Sequence, residues 1–296
     1  MSAAKIARLA DRGVVSVTGS DSEKLLQGLI TNEIEGLGAG EARHAGLLSP
    51  QGKILFDFFV VHHRDGYLLD VVRSKAGDLV KRLTMYKLRA DVAIVDDSVS
   101  FDVYAAWDDG AARLVEGRGM FFLDPRHPSL GLRLMADVHA PRPEHEASHH
   151  DYDALRVRLG VPEGGKDYDF GDAYPHEADF DLLNGVSFTK GCYVGQEVVA
   201  RMQNKTVVRK RAVKISADRP LTSNVDVLVG DVPIGRVGTV DGNGAIAMLR
   251  LDRVLDAERK NQKLTADGIV ITPDDVALDR YRASAATRSS TALPSA

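Results

Sequence analysis

The sequence holds a single cysteine, Cys192, in 296 residues. One cysteine excludes an intramolecular disulfide, and it excludes a four-cysteine metal or cluster site within one chain. Long apolar runs are missing as well, so no stretch reaches membrane-spanning length. Met1 to Ala10 carries Lys5 and Arg8 with no apolar core behind them, which is not the pattern of a secretory leader. These absences together predict a reducing, cytoplasmic setting. Positive charge is not in excess: 38 Lys and Arg stand against 42 Asp and Glu, for a formal charge of -4. Mild acidity argues against a general nucleic-acid or membrane-surface binder. There is no internal repeat, no Walker loop, no G-x-G-x-x-G turn and no G-x-S-x-G elbow.

What remains is a chain with 44% hydrophobic residues, enough for sizeable cores in two or three domains or subdomains. Val14 to Val17 predicts a short strand. Ser20-Asp21-Ser22-Glu23 then fits a capping box with Ser20 as N-cap, opening a helix with Leu25, Leu26, Leu29 and Ile30 on one face. His44 to Leu48 predicts a strand, Ser49-Pro50-Gln51-Gly52 a turn, and Lys53 to His62 a strand that returns through Asp65-Gly66 to Tyr67–Val72. Period-two counting sets Asp57 in line with Leu55, Phe59 and Val61. A carboxylate among such neighbours needs a partner or a raised pKa. Ser74 is placed to cap a helix through Leu79, Leu83 and Tyr86; strands follow at Val92–Val95, Phe101–Ala106 and Gly119–Leu123. This alternation predicts an α+β fold.

Pro141 to His150 breaks the pattern. Its histidines (His145, His149 and His150, with His139 nearby) match no ligand spacing, and the segment is expected to be a solvated connector. Tyr152 to Leu159 predicts a helix ended by Gly160. From Val207 on, short β-rich runs separated by Gly230-Asp231 and Asp241-Gly242-Asn243-Gly244 predict a small antiparallel barrel or sandwich. Residues 283–296, small and polar, are expected to form a disordered tail.

The most informative stretch is Lys190-Gly191-Cys192-Tyr193-Val194-Gly195-Gln196-Glu197. Glycines bracket the thiol, a lysine precedes it, and a helical run follows from Gln196. A thiol beside a lysine at the mouth of a helix has the surroundings that favour thiolate. Lys190 is thereby expected to hold the Cys192 thiolate by charge or to bind an anion. Gln196 and Glu197 suit the opening turn of the helix.

The octet is similar to the K-G-C-Y-x-G-Q-E signature of the YgfZ folate-binding proteins, whose mitochondrial relatives act in iron–sulfur cluster assembly. Leu26-Gln27-Gly28-Leu29-Ile30-Thr31-Asn32, Ser49-Pro50-Gln51-Gly52-Lys53 and Tyr86-Lys87-Leu88-Arg89-Ala90 resemble that family's other landmarks, in the same order. The resemblance runs from about Val14 to about Tyr281. It implies the glycine-cleavage T-protein-like fold: two interleaved α+β subdomains in a folate-binding region over residues 1–206, and a C-terminal β-barrel over 207–282. It also implies a folate-binding accessory protein for iron–sulfur cluster assembly or repair. The implied cofactor is tetrahydrofolate or a derivative. The implied partners are iron–sulfur enzymes, including those that modify tRNA, or assembly proteins, with neither a membrane nor direct nucleic-acid binding. The alternative is a tetrahydrofolate-dependent aminomethyltransferase. Against it, the T-protein pattern lacks the cysteine and carries two acids where this chain has Phe56-Asp57.

Cys192 and Lys190 are therefore the expected reactive pair. A carboxylate matches the paired N–H donors of a reduced pterin, for which Asp57 and Glu177 are the candidates. Arg201, with Arg89 or Lys53, suits the carboxylates of the folate tail. Tyr86 or Tyr193 suits stacking on the pterin ring. Gln196 and Glu197 complete the expected site.

Overall fold

A computed structural model gives the fold; it describes residues 3–143 and 147–291, with side chains as far as 286. The chain divides into two compact units, Met1–Tyr152 with Phe180–Gln196, and Asp153–Asp179 with Glu197–Ala296.

The first unit is built on two antiparallel sheets. One has strands β2 (Arg12–Thr18), β3 (Ala42–Leu48), β4 (Ile54–His63), β5 (Gly66–Val72) and β6 (Ala93–Asp96), in the order β3-β4-β5-β2-β6. The other has β1 (Lys5–Arg8), β7 (Phe101–Trp107), β8 (Gly119–Leu123) and β9 (Leu132–Asp137), in the order β1-β7-β9-β8. The chain starts in the second sheet, builds the first, and returns, so the expected interleaving is present. Helices α1 (Ser22–Gln27) and α2 (Ala76–Lys87) lay Leu26, Leu79 and Leu83 against Phe56, Phe58 and Val60 of β4. Helix α3 (Ala111–Val115) contributes to a smaller core with Ile6, Tyr104 and Leu134.

The opposite face of β4 carries Phe59, whose ring lies 5.8 Å from that of Phe122 on β8. Around Phe59 runs a buried charged layer. Arg12 donates to Asp70 at 2.6 Å, and Arg133 donates to the other oxygen of Asp70 at 3.2 Å. Arg126 holds Asp124 at 2.8 Å, and both Arg126 and Arg133 donate to the Tyr152 hydroxyl at 3.0 Å. Burial pushes the Asp124 carboxyl up, but Arg126 and then Arg133 outweigh it and hold its pKa at about 2.

The second unit holds the end of helix α4 (His149–Leu159), nearly all of α5 (Gln196–Lys205), and a closed barrel. Its strands are β10 (Lys210–Ala217), β11 (Asp226–Val229), β12 (Val232–Asp241), β13 (Gly244–Arg250), β14 (Leu264–Ala266) and β15 (Ile269–Pro273), in the order β10-β13-β12-β11-β14-β15. Closure comes from β15 pairing back on β10. The barrel interior holds Val213, Val227, Val237, Ala247 and Ile271, and α6 (Leu251–Arg259) adds Leu251 and Val254. Arg156 of α4, fully buried, donates to Asp153 and Asp167 and so pins the helix to the loop that follows it.

Several local expectations are corrected. The capping box does not form: α1 starts at Ser22 without a side-chain cap, the Ser20 hydroxyl donates to Asp91, and Glu23 accepts from the Tyr67 hydroxyl. Helix α2 begins at Ala76 after a short 3-10 turn, and Ser74 does not cap it. Ala283 to Thr291, expected as tail, continue helix α7 (Asp275–Thr291); residues 292–296 lie outside the described residues, as does His145. Among the described residues no helix is long and apolar enough to cross a membrane, and no group of three or more His, Cys, Asp or Glu is placed to hold a metal ion.

Candidate functional site

The segment 180–195 returns to the first unit and is stitched to the end of α1. The Thr31 hydroxyl donates to the Gly185 carbonyl at 2.6 Å and accepts from the Gly46 amide at 2.8 Å. The Asn32 side chain donates to the carbonyls of His44 and Asn184 at 2.8 and 2.7 Å. Gly185 is obligatory here, since a Cβ would stand 2.7 Å from the Phe180 ring and 2.9 Å from His44 Nδ1. His44 itself is buried between Phe59 and Phe180. Burial first, and Arg126 second, lower its pKa to about 3, so the ring is neutral.

Lys190 fixes the octet. Its ammonium is buried and donates to three backbone carbonyls, Gln27 at 2.8 Å, Ile30 at 2.9 Å and Asn32 at 2.7 Å. These are carbonyls that a helix end and the turn after it leave without partners, and an ammonium has three protons to offer them. Burial lowers its pKa to about 8, opposed by Glu33; the three carbonyls also favour the charged form. The ammonium also lies 5.4 Å from the Tyr193 ring centre. The expectation that Lys190 serves Cys192 as a charge partner is thereby corrected: its donors are spent on the backbone.

Cys192 follows two residues later, free and exposed. It is not at the mouth of α5, because Tyr193, Val194 and Gly195 intervene before the helix begins at Gln196. Gly195 has φ 83 and lies so close to the Ser49–Gly52 turn that a Cβ would be 2.8 Å from the Ser49 carbonyl oxygen. The cysteine loop is thus held at both ends, by Lys190 on the α1 turn and by Gly195 on the β3–β4 turn, with the thiol outside. Three of the quoted motifs, scattered through the sequence, meet here. Tyr193 is buried, and burial raises its hydroxyl pKa to about 12. Gln196 is half-buried and Glu197 exposed.

The remaining candidates fall elsewhere. Asp57 is buried on β4, opposite Gly46. Tyr86 is half-buried against the first sheet's core, and Arg89 is exposed in the turn after α2. Glu177 and Arg201 come together in the second unit, lining one cleft of about 770 Å³ with Lys205, Arg209, Lys210 and Arg250. One Glu177 oxygen accepts from the Tyr174 amide at 3.0 Å. His44, Thr31 and Asn32 were given no role by sequence reasoning, although Thr31 and Asn32 close the Leu26–Asn32 landmark.

Residues 209–277 match the family described as the CAF17 C-terminal beta-barrel domain. The chain is 36% identical over 231 residues to the iron-sulfur cluster assembly factor IBA57 homolog, mitochondrial, of Mycosarcoma maydis, covering 72% of this chain and 57% of that protein. It is 33% identical over 279 residues to the mitochondrial IBA57 of Mus musculus, covering 83% of this chain and 78% of the relative. The chain thus spans little more than half the length of the fungal relative. In fold it is similar to the glycine cleavage system aminomethyltransferase T of Bartonella henselae, with TM-score 0.72 and 14% identity over 91% of this chain and 84% of that one. The relatives named are IBA57 proteins rather than YgfZ, and they are mitochondrial by name, which overturns the expected cytoplasmic setting. A lone cysteine speaks to redox conditions and not to which compartment supplies them. By sequence over most of its length, the chain belongs to the IBA57 family of iron–sulfur cluster assembly factors.

Proposed function

We propose that this protein is an accessory factor in iron–sulfur cluster assembly, in which the Cys192 thiolate supplies one ligand to a cluster shared with a partner protein. The cluster is cargo. One thiolate cannot complete its coordination, so the remaining ligands come from the partner. The observation that carries the reading is an exposed sulfur on a loop fixed at both ends. A rigid, exposed thiol presents a ligand at little ordering cost. Iron–sulfur enzymes that modify tRNA are among the clients proposed.

Folate is the proposed small-molecule ligand. The cleft of about 770 Å³ is of ligand size, and it sets a carboxylate, Glu177, beside a guanidinium, Arg201, the two chemistries that a pterin edge and a carboxylate tail require. Asp57, in the first unit, is the alternative candidate carboxylate. Calorimetric titration with tetrahydrofolate should show binding that weakens in Glu177→Ala or, if Asp57 supplies the carboxylate instead, in Asp57→Ala; unchanged affinity in both removes these residues from the proposal.

The central test is restoration of client iron–sulfur enzyme activity in a strain deleted for this protein. Cys192→Ala should fail where the wild type succeeds, and equal restoration would discard the ligand role. The fold shared with an aminomethyltransferase favours a second reading, folate-dependent aminomethyl transfer. Turnover in a glycine-cleavage assay with lipoylated carrier protein and tetrahydrofolate would support that reading, and none above background would remove it.

A further inference from the structure

Helix α2 ends in a turn that puts a leucine where the backbone suits glycine. The Ala90 amide donates to the Lys87 carbonyl at 2.8 Å, closing a four-residue turn whose second residue is Leu88. Leu88 has φ 48 and ψ -108, a conformation that type II′ turns fill with Gly, Asn or Asp. A bulky side chain there crowds its own backbone. Burial among the described residues does not offset that strain: Leu88 is 87% exposed and Met85, three residues back, is 69% exposed. Arg82, Lys87 and Arg89 surround the pair along the chain, without an ion pair among the described residues, while Lys81 pairs with Asp78 at 3.3 Å. The first carboxylate beyond the turn, Asp91, accepts from the Ser20 hydroxyl at 3.0 Å. This cationic rim belongs to a chain of formal charge -4.

We propose that Leu88 and Met85 are the apolar anchor of a protein-docking surface, whose partner presents an apolar socket rimmed by carboxylates. Strain kept at an exposed residue marks a position held for something outside the fold. An exposed apolar pair flanked along the chain by cations unpaired among the described residues has the composition of a docking centre with its polar rim. A membrane is the poorer fit: insertion needs a broad apolar face, and the other leucines of α2, Leu79 and Leu83, are buried in the core. The inference rests on the assembly role proposed above only in identifying the partner as an iron–sulfur protein.

The test uses the full chain with Leu88→Gly, Met85→Ser and the double variant Arg82→Glu/Lys87→Glu, in the deletion strain and in solution. Leu88→Gly should melt no lower than the wild type and about 2 °C higher if the strain is released. Losing one buried leucine should weaken docking at least about tenfold, so client-enzyme activity should fall several-fold. The other two variants should lose activity without melting earlier by more than about 2 °C. Full activity in Leu88→Gly, or a lowered melting temperature, overturns the docking role. Failure of the wild type itself to restore activity counts against the assembly reading instead. A second measurement then decides the docking surface alone. A photo-cross-linking residue at position 88 should yield one protein adduct that is lost in the Arg82→Glu/Lys87→Glu background; no adduct, or one indifferent to those charges, overturns it. Sedimentation of the wild type, but not Leu88→Gly, with vesicles of phosphatidylcholine and phosphatidylglycerol would overturn it in favour of a lipid surface.

Discussion

Lys190 and Cys192 stand two positions apart and do opposite things. The ammonium is buried against carbonyls of the α1 turn, and the thiol faces out. Lys190→Ala should cost about 3 kcal/mol by urea denaturation, because it leaves three buried carbonyls without a donor. Cys192→Ala should change stability by no more than about 0.5 kcal/mol. If both variants fail in cells, the first should fail through loss of soluble protein and the second with the fold intact. The sequence singled out both residues but mistook the role of Lys190. Its acceptors lie as far as 163 residues upstream, beyond anything that local spacing reports. His44 was invisible for the same reason, since its neutral state comes from burial beside Phe180 and from Arg126. With its folded pKa lowered to about 3, the unfolded chain binds the extra proton as pH falls below about 6.5, and the folded chain does not. Stability is therefore full above about pH 6.5 and is lost progressively towards pH 3, by up to about 5 kcal/mol. Asp124 adds to the loss below its ordinary range, since its folded pKa is about 2. Melting temperatures across that window, for the wild type and His44→Gln, check this: the wild type should lose more on acidification.

Among the elements, the strands read directly were those with a long run of aromatic and branched apolar residues, such as β4, or that sit beside clear turns, such as β5. Strand β9 was missed because Arg133 looks like a surface residue, although it is 1% exposed and paired with Asp70. The failed capping box has a related cause. Ser20 and Glu23 had the right spacing, but Asp91 and Tyr67, brought close by the fold, took their side chains. Turns that depend on a glycine were legible, and Gly195 is the sharpest case. Gly195→Ala should destabilise the protein by about 1–3 kcal/mol, since φ is 83 and the new methyl group meets the Ser49 carbonyl. Chemical denaturation measures it, and increased proteolytic cleavage between residues 186 and 195 should accompany it.

For the whole molecule, composition and periodicity reach an α+β region followed by a small β-rich domain. The interleaving of the two sheets came from the family resemblance alone, because strand partners such as β1 and β7 are about a hundred residues apart in the chain and leave no periodic trace. The charged layer of the first unit was also hidden, since Arg12, Asp70 and Arg133 come from three strands. Asp70→Ala leaves two buried guanidinium groups without their shared carboxylate and should cost about 3–5 kcal/mol. Hydrogen exchange should show the loss of protection in β2, β5 and β9 and leave β10 to β15 unchanged.

The route of the backbone has a consequence for how the protein is made. The carbonyls at the end of α1 wait for an ammonium about 160 residues further on. At ordinary elongation rates of about 5–20 residues per second, the first unit spends about 10–30 s on the ribosome without its closing contact. Strands of the first sheet emerge early and stay incompletely sealed until segment 180–195 arrives, so a chaperone that shelters nascent chains should matter more for this protein than for one whose domains close in order of synthesis.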